Sequence, residues 1–269
     1  MTDKGMQGAM DDTILVERDG NIATVILNRP AKLNALTKSM WRRLGDVFLD
    51  FESDDNVRCI LLRGAGEKAF APGNDISEFE NERSNIDQAR EYGKIMTRTI
   101  DAIGHCRHPV VAQIHGICVG GGLEIAGLAD IRVCGESSRF GVPINRLGFA
   151  IAYDELAGLL ALAGRAVAAE ILLEGRVWGA EEAFAKGLLT RVVADAEVER
   201  DAYATARRIA DGAPLVARWH KQFIRRLAVG APPLSAAEID ANFDYLKTDD
   251  YRNGIDAFLN KKKPQFKGS

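Results

Sequence analysis

Apolar residues in the first half of the chain follow two alternating spacings. Short apolar runs, many of them β-branched, predict strands, and apolar residues three or four positions apart predict the helices between them. The predicted strands cover residues 13–18, 22–28, 57–63, 68–71, 110–114 and 131–134, and the predicted helices include residues 40–51, 92–103 and 123–128. Strands and helices that alternate through short connections favour a layered α/β fold with parallel strands.

Beyond residue 153 the pattern becomes helical. Helices are predicted at residues 154–163, 166–173, 180–186, 197–212, 214–229, 235–247 and 250–261, and only residues 189–193 have the pattern of a strand. No low-complexity linker separates the two parts. We therefore expect a flexible N-terminal tail at residues 1–12, a core at residues 13–195, and a helical region at residues 196–269 that packs on this core.

Composition narrows the class of protein. The 269 residues are 46% hydrophobic and 27% charged, as in ordinary soluble proteins, and a net charge of -3 argues against a nucleic-acid partner. No run of 18 apolar residues is present, so no membrane span is expected. The four cysteines form no CxxC pair and the N-terminus lacks a signal-peptide pattern, which predicts a cytoplasmic protein with reduced cysteines.

Three consecutive glycines, Gly120 to Gly122, separate the predicted strand at 110–114 from the predicted helix at 123–128. The run matches neither GxGxxG nor GxxxxGK[ST], so a phosphate site is not indicated. Exposed backbone N–H groups at such a turn can instead form an oxyanion hole, and tight helix–sheet packing is the alternative explanation. Glu124 follows among apolar neighbours, where burial would raise its pKa and suit it to proton transfer; an exposed helix-start acid is the alternative.

A second turn of the same kind lies upstream, in the stretch KAFAPGNDISEFEN. Pro72-Gly73 ends a predicted strand, and Asp75 with Glu78 has the spacing of a capping box. Taken alone, this stretch is more simply explained as an ordinary turn and helix cap. Combined with the glycine turn, it supplies the second donor that an oxyanion hole needs. Two donors beside a lone carboxylate indicate enolate chemistry, in which a proton moves to or from the carbon next to a carbonyl.

Six motifs, in order and spacing, resemble the crotonase (enoyl-CoA hydratase/isomerase) superfamily over residues 13–266. They are ILNRPAKLNAL, KAFAPGNDISEF, IHGICVGGGLEIAGLADIRV, SSRFGVPINRLG, LLEGRVWGAEEAFAKGLLTRVV and DDYRNGIDAFLNKKKPQF. The resemblance implies a spiral of repeated ββα units with a helical C-terminal trimerisation region, assembled as a homotrimer or a dimer of trimers. It also implies an acyl-CoA thioester substrate, with coenzyme A as part of the substrate, no permanently bound cofactor and no metal.

The resemblance also assigns roles to individual residues. It implies that the backbone N–H groups of Asn74 and Gly121 form the oxyanion hole and that Glu124 is the first catalytic glutamate. The residues that it places at the substrate are Asp75, Ile76, Ser77, Gly120 and Ile144 for the acyl part, Lys32, Ala35 and Leu36 for coenzyme A, and Phe258 and Lys261 for the coenzyme A of a neighbouring subunit.

The chain departs from the family at the second glutamate of hydratases. That residue follows the proline of F-G-x-P-E, and Ile144 occupies its position here. Ala152 occupies the position at which some isomerases carry their acid. Asp154 and Glu155 are candidate second acids, although acids at a helix start are the simpler explanation for both.

These features leave several functions open. The chain is interpreted as an acyl-CoA enzyme of the hydratase/isomerase type, and the alternatives are a double-bond isomerase and a non-catalytic acyl-CoA-binding trimer. A Ser–His hydrolase is the alternative from another class, but Ser77, Ser137 and Ser138 lie in no GxSxG motif.

Overall fold

The computed structural model describes residues 12–148, 150–227, 232–241 and 243–269. The tail predicted at residues 1–12 therefore lies, apart from Asp12, outside the described residues. The strands are β1 (Ile14–Asp19), β2 (Ile22–Leu27), β3 (Cys59–Gly64), β4 (Ala69–Ala71), β5 (Val110–Ile114), β6 (Ile117–Val119), β7 (Ile131–Gly135), β8 (Arg139–Gly141), β9 (Val177–Gly179) and β10 (Arg191–Val193). The helices are α1 (Lys38–Phe51), α2 (Phe79–Glu82), α3 (Ile86–His105), α4 (Gly121–Gly127), α5 (Tyr153–Glu174), α6 (Ala180–Ala185), α7 (Val198–Ala210), α8 (Pro214–Arg226), α9 (Ala236–Ala241) and α10 (Asp249–Leu259).

The strands form two sheets. The larger sheet has the order β1-β2-β3-β5-β7-β10, in which only the β1–β2 hairpin is antiparallel. The smaller sheet has the order β4-β6-β8-β9, and its first three strands are parallel. Successive strand pairs β3–β4, β5–β6 and β7–β8 each give one strand to each sheet before the chain enters a helix. This repetition confirms the predicted spiral of ββα units.

The three-residue strands of the smaller sheet were not all predicted. The sequence pattern indicated β4 but missed β6, β8 and β9, and the statement that only residues 189–193 form a strand beyond residue 153 is wrong because β9 lies there as well. Strands this short contain too few positions to show a period. They form because the parallel ladder aligns Ala71 with Cys118 and Cys118 with Phe140, so the turns that follow β4, β6 and β8 lie at one edge of the sheet.

Both faces of the larger sheet are covered by apolar helix faces. Helices α1 and α3 pack together on one side, and the fully buried Trp41, Phe48 and Tyr92 lie in that core. The other side is covered by α7, through Ala202 and Ala206, which pack with residues of β3 and β5. All four cysteines are buried and free, as predicted.

Helix α5 contains the two helices predicted at residues 154–163 and 166–173, as two segments on either side of a kink. Gly164, with a φ of 74°, kinks it at the predicted interruption. By length and mean hydropathy (1.9) α5 is the one helix of the described residues that could cross a membrane, and 17% of its most apolar stretch is buried in the structure. In the fold, Leu159, Ala168 and Ile171 of α5 are buried in the main core.

Buried polar contacts attach the C-terminal helices to the sheet. The Lys221 Nζ on α8 donates to the carbonyl of His108 at 2.8 Å and to the Asp130 carboxylate at 2.7 Å. The Arg58 guanidinium, just before β3, donates to the carbonyl of Phe266 at 2.7 Å. Helix α10 is attached to the chain end, because the buried Asp250 carboxylate accepts two backbone N–H bonds from residues 267 and 268.

Candidate active site

Two strand-to-helix turns meet at the edge of the smaller sheet. One follows β4 and contains Gly73 and Asn74, and the other follows β6 and contains Gly120 and Gly121. They are in close contact, since a methyl group placed on Gly73 would lie 3.3 Å from the Gly121 nitrogen. The Gly120 nitrogen donates to the carbonyl of Gly141 at 2.8 Å, which holds the second turn against the end of β8.

The glycine run has two separate structural reasons. Gly120 has a φ of 52° and a ψ of -127°, a conformation that residues with a Cβ rarely adopt. Gly122 lies against β4, where a Cβ would come within 2.1 Å of the Ala71 carbonyl oxygen. The packing explanation considered from the sequence therefore holds for Gly122.

Two backbone N–H groups are available in these turns. Leu36 pairs with the first turn through its N–H to the Gly73 carbonyl (2.9 Å) and through its carbonyl, which accepts the Asp75 N–H (2.8 Å). These bonds bracket Asn74, whose own N–H donates to no other described residue. The N–H of Gly121, the first residue of α4, has no acceptor in the described part of the chain either. Within residues 12–148 and the other described ranges, both predicted oxyanion donors are thus unused.

The side chain of Asn74 is occupied by other contacts and does not take part in the proposed oxyanion hole. Its Oδ1 accepts a hydrogen bond of 2.6 Å from the buried Trp41 indole N–H, and its Nδ2 lies 3.9 Å from the Met96 Sδ. The next residue, Asp75, receives the Arg29 guanidinium at 3.0 Å and the Ser77 N–H at 3.2 Å. The Ser77 bond makes Asp75 the cap of a 3-10 turn over Ile76–Glu78 rather than of a full helix.

A cavity of about 330 Å³ opens at the two turns. Its walls are largely apolar, and its two acids are Glu124 and Glu155. The apolar wall is formed by Ile76, Phe79, Val119, Ile144 and Leu147. An apolar cavity with a few convergent polar groups is typical of a small-molecule site.

Glu124 lies one turn into α4 and faces this cavity. Its Oε2 is buried and has no hydrogen-bond partner among the described residues. Burial raises the pKa of Glu124 well above its ordinary value, the neighbouring Glu155 raises it further, and the Arg83 guanidinium opposes both effects. One oxygen of the carboxyl group that the sequence predicted to be desolvated is thus buried, while the residue as a whole is half-buried.

The first turn of α5 supplies the second acid of the cavity. Glu155 is half-buried, and its Oε2 accepts the Ala152 N–H at 3.3 Å. Burial raises the pKa of Glu155, Asp154 raises it as well, and the Ala152 N–H and Arg83 lower it. Asp154 does not line the larger cavity, although it borders the smaller one described below, and its exposed carboxylate accepts the Thr97 hydroxyl at 2.9 Å. The fold thus separates two acids that the sequence left equivalent.

A smaller cavity of about 20 Å³ lies on the far side of the two acids. Apolar side chains form most of its wall, among them Ile100, Leu123 and Leu162. The space is about that of a single water molecule. Glu124 and Glu155 belong to both cavities, so they form the partition between them.

Only some of the other predicted site residues line the larger cavity. Ile76, Gly120 and Ile144 line the larger cavity, whereas Asp75 and Ser77 do not. Residues that follow β2 lie close by in the fold: Lys32 is exposed, Ala35 accepts the Arg29 guanidinium through its carbonyl, and the side chain of Leu36 is fully buried. Phe258 is 81% exposed and Lys261 is exposed, and neither lines the cavity of its own chain.

Sequence reasoning missed several residues of this site. Phe79 and Leu147 are cavity walls that no motif indicated. Arg83 stacks on Phe79 with its Cζ 4.8 Å from the ring centroid, and on Tyr92 at 5.0 Å. A lone arginine beyond a short helix carries no sequence signal, so only the fold could reveal it. In the described part of the chain, no serine hydrogen-bonds a histidine and no cluster of three metal-ligating side chains occurs.

Comparisons with known proteins agree on one family. The enoyl-CoA hydratase/isomerase family model matches residues 17–269. The chain is 31% identical over 253 residues to the short-chain-enoyl-CoA hydratase of Clostridium acetobutylicum, covering 94% of this chain and 96% of that protein. It is 29% identical over 272 residues to the carnitinyl-CoA dehydratase of Escherichia coli O157:H7, covering 96% of this chain and 100% of that protein.

A solved structure agrees over the same length. The crystal structure of an enoyl-CoA hydratase/carnithine racemase from Magnetospirillum magneticum superposes with a TM-score of 0.94 at 49% identity, covering 96% of each chain. The family match, the relatives and the fold together show that this chain belongs to the enoyl-CoA hydratase/isomerase family of the crotonase superfamily.

Proposed function

We propose that this acyl-CoA enzyme adds water reversibly across the C2–C3 double bond of a 2-enoyl-CoA thioester. The observation that carries the proposal is that Glu124 and Glu155 line one cavity together with the two turns that hold free N–H groups. Hydration needs two groups that exchange protons and a site that stabilises an enolate. The relatives named as a short-chain-enoyl-CoA hydratase and a carnitinyl-CoA dehydratase support this direction.

The N–H groups of Asn74 and Gly121 would bind the thioester oxygen. This oxygen gains negative charge as the enolate forms, so two fixed donors stabilise the transition state more than the ground state. Both turns are held rigidly, the first by Leu36 and Trp41 and the second by the end of β8. Donors that need no rearrangement during the reaction are the most effective ones.

The two glutamates would divide the proton transfers. One carboxylate, as base, takes a proton from water while the water oxygen bonds to C3 and the π electrons move onto the thioester. The other, as acid, delivers its proton to C2 as the enolate collapses. Two carboxyl groups in one buried site favour a state with one proton between them, which supplies one acid and one base. Glu155 thereby takes the part of the glutamate that Ile144 replaces.

Coenzyme A would extend from the cavity along the residues after β2. Lys32 is exposed there and can pair with a phosphate, while Ala35 and Leu36 offer backbone groups. Ile76 and Ile144 would contact the acyl chain, and Gly120 allows it to approach the backbone. Asp75 and Ser77 act through the shape of the first turn. Phe258 and Lys261 would reach the coenzyme A of a neighbouring subunit in a homotrimer or a dimer of trimers.

The test compares three single variants with crotonyl-CoA as substrate. We expect Glu124→Gln and Glu155→Gln each to lower kcat by about 10²–10⁴-fold, the usual scale of general acid–base catalysis. Asp154→Asn is the matched control, and its kcat should stay near that of the parent enzyme. Mass spectrometry of the product identifies hydration.

One result would reject the assignment of Glu155. If Glu155→Gln hydrates crotonyl-CoA at the parent rate, a single carboxylate suffices. Glu155 would then not be the second acid of the hydration. A parent enzyme that shifts the double bond of a 3-enoyl-CoA but adds no water to crotonyl-CoA would instead be a double-bond isomerase. Binding of crotonyl-CoA without turnover of either substrate would indicate an acyl-CoA-binding protein.

A further inference from the structure

We infer that Arg83 is a positioning residue that keeps the Glu124–Glu155 pair in its singly protonated, catalytically competent state. The inference rests on the proposed function, since it needs both glutamates to act. Arg83 lies outside both turns and does not touch the reacting atoms of the proposed reaction. Its effect is on the charge of the pair.

The position of Arg83 is set by two aromatic rings. Its Cζ lies 4.8 Å from the Phe79 ring centroid and 5.0 Å from that of Tyr92, within the range of cation–π contacts. Phe79 itself lines the cavity that contains Glu124 and Glu155. The guanidinium therefore lies directly behind one cavity wall, and its N–H at Nη1 is buried.

The charges around the pair favour one proton. Two carboxylates in a buried site repel each other, so both do not ionise together. A single guanidinium, which stays charged at all working pH values, balances one negative charge but not two. When the Glu124–Glu155 pair carries one proton, its single negative charge is cancelled by the positive charge of Arg83. In this state one glutamate is an acid and the other is a base.

Among the described residues, no lysine or arginine lines either of the two cavities that hold the glutamates. The other titratable groups around them and around Arg83 include Asp154 on α5, Tyr92 on α3, and Asp75, Glu78 and Glu82 beside Tyr92. Two further cations lie among these acids, and each is paired with one of them: Arg29 with Asp75 at 3.0 Å and Lys38 with Glu82 at 2.7 Å. Asp154 is exposed and bonded to Thr97, and burial raises the pKa of Tyr92, which keeps its hydroxyl neutral. Arg83 is therefore the group whose removal should change the charge of the pair.

The positive charge of Arg83 determines in which direction the pKa of the glutamate pair changes when Arg83 is removed. A nearby cation favours the ionised form of a carboxyl group and lowers its pKa. Without Arg83 the first ionisation of the pair would move to higher pH, and the base would be present only in more alkaline solution. The acid limb of the pH–rate profile would move in the same direction.

The experiment measures kcat/KM for crotonyl-CoA between about pH 5 and about pH 10. For Arg83→Met we expect the acid limb to shift upward by about one pH unit or more, so that the rate falls about tenfold on that limb and recovers at high pH. Arg83→Lys keeps the charge and should keep the parent profile. Arg90→Met is the matched control, because Arg90 is an exposed arginine paired with Asp87.

Arg83→Gln provides a second neutral variant if the methionine variant fails to fold, as judged by circular dichroism. A rate lowered by one factor at every pH, or a profile identical to that of the parent, would overturn the inference. The proposed function fails separately, if Glu155→Gln is fully active. An inactive Glu155→Gln with an unshifted neutral Arg83 variant would reject the inference alone.

Discussion

The buried indole N–H of Trp41 donates a hydrogen bond of 2.6 Å to the side-chain oxygen of Asn74. Trp41 belongs to α1 and Asn74 to the turn after β4, so this bond joins the helical layer to the proposed oxyanion hole. This bond occupies the side chain of Asn74. Its main chain remains available to a substrate.

Asn74→Ala should distinguish the structural role of the Asn74 side chain from the proposed catalytic role of its main-chain N–H. The change leaves the buried Trp41 N–H without its partner, which costs about 1–3 kcal/mol of unfolding free energy. The Asn74 main-chain donor is retained, so kcat should fall by less than about tenfold. Urea unfolding and crotonyl-CoA hydration measure the two effects, with the exposed Asn81→Ala as control. A large loss of kcat with unchanged stability would assign the side chain a direct part in the chemistry.

Gly121→Pro tests the second donor. Proline is compatible with the first position of a helix and lacks the N–H, so the loss of one oxyanion donor should cost about 3–4 kcal/mol of transition-state stabilisation. Gly121→Ala is the matched control, because its Cβ also meets the Trp41 ring at 3.1 Å but its N–H is kept. If the two variants lose the same activity, crowding and not the donor explains the loss.

Glu124→Gln should increase stability in alkaline solution. Burial raises the pKa of Glu124 in the folded state, while the unfolded chain ionises it above about pH 4.3. The unfolding free energy of the parent therefore falls as the pH rises from that value towards the folded pKa, and glutamine removes this term. The melting temperatures of the parent and of Glu124→Gln should agree near about pH 4. At about pH 8 the melting temperature of the variant should be the higher one. A parent that is more stable at that pH would contradict the burial of this carboxyl group.

Ile144→Glu should rescue Glu155→Gln. Ile144 lines the same cavity, and the resemblance in sequence assigns its position to the second glutamate of hydratases, so the double variant would move the proposed second acid across the site. We expect it to hydrate crotonyl-CoA about tenfold or more faster than Glu155→Gln alone, within the range of acid–base catalysis. Ile144→Gln in the same background controls for polarity. Equal rates for the two double variants would show that an acid at residue 144 does not reach the substrate.

Assembly should be visible in light scattering as three or six times the mass of one chain. Phe258 is 81% exposed, Lys261 lies just beyond the end of α10, and neither lines the cavity of its own chain, so under the proposed function they would act at the cavity of a neighbouring subunit. In the assembled protein, Lys261→Glu should weaken coenzyme A binding by like-charge repulsion with the phosphates, measured by titration calorimetry. Lys267→Glu, at the chain end, is the control. If the protein is a monomer and Lys261→Glu binds coenzyme A as tightly as the parent, neither Phe258 nor Lys261 belongs to the coenzyme A site.

The sequence predicted the larger sheet well and the smaller sheet poorly. Strands such as β5 have five consecutive buried residues, enough to show an apolar run. β6 and β8 have three residues each and depend on their neighbours in the ladder. Both glycine turns were identified because glycine marks unusual backbone directly in the sequence.

The acids show where sequence reasoning stops. Glu124 could be singled out from its apolar neighbours alone. Glu155 could not, because its significance depends on the first turn of α5 facing α4, and no local pattern favours it over Asp154. The hydrogen bond from Thr97 to Asp154 decides between them, and Thr97 lies 57 positions earlier in the chain.

The ladder of β4, β6 and β8 has a consequence for how this enzyme can diversify. It places three turns side by side, and two of them hold their donors through main-chain atoms that no substitution short of proline removes. The acids, in contrast, come from side chains on the segments that follow β6 and β8. Under the proposed function, mutation can therefore relocate a proton donor while the turns that bind the carbonyl stay constant, and Glu155 would stand in for the acid absent at Ile144. An enzyme with this fold could therefore acquire a new reaction while every variant along the way still binds the thioester.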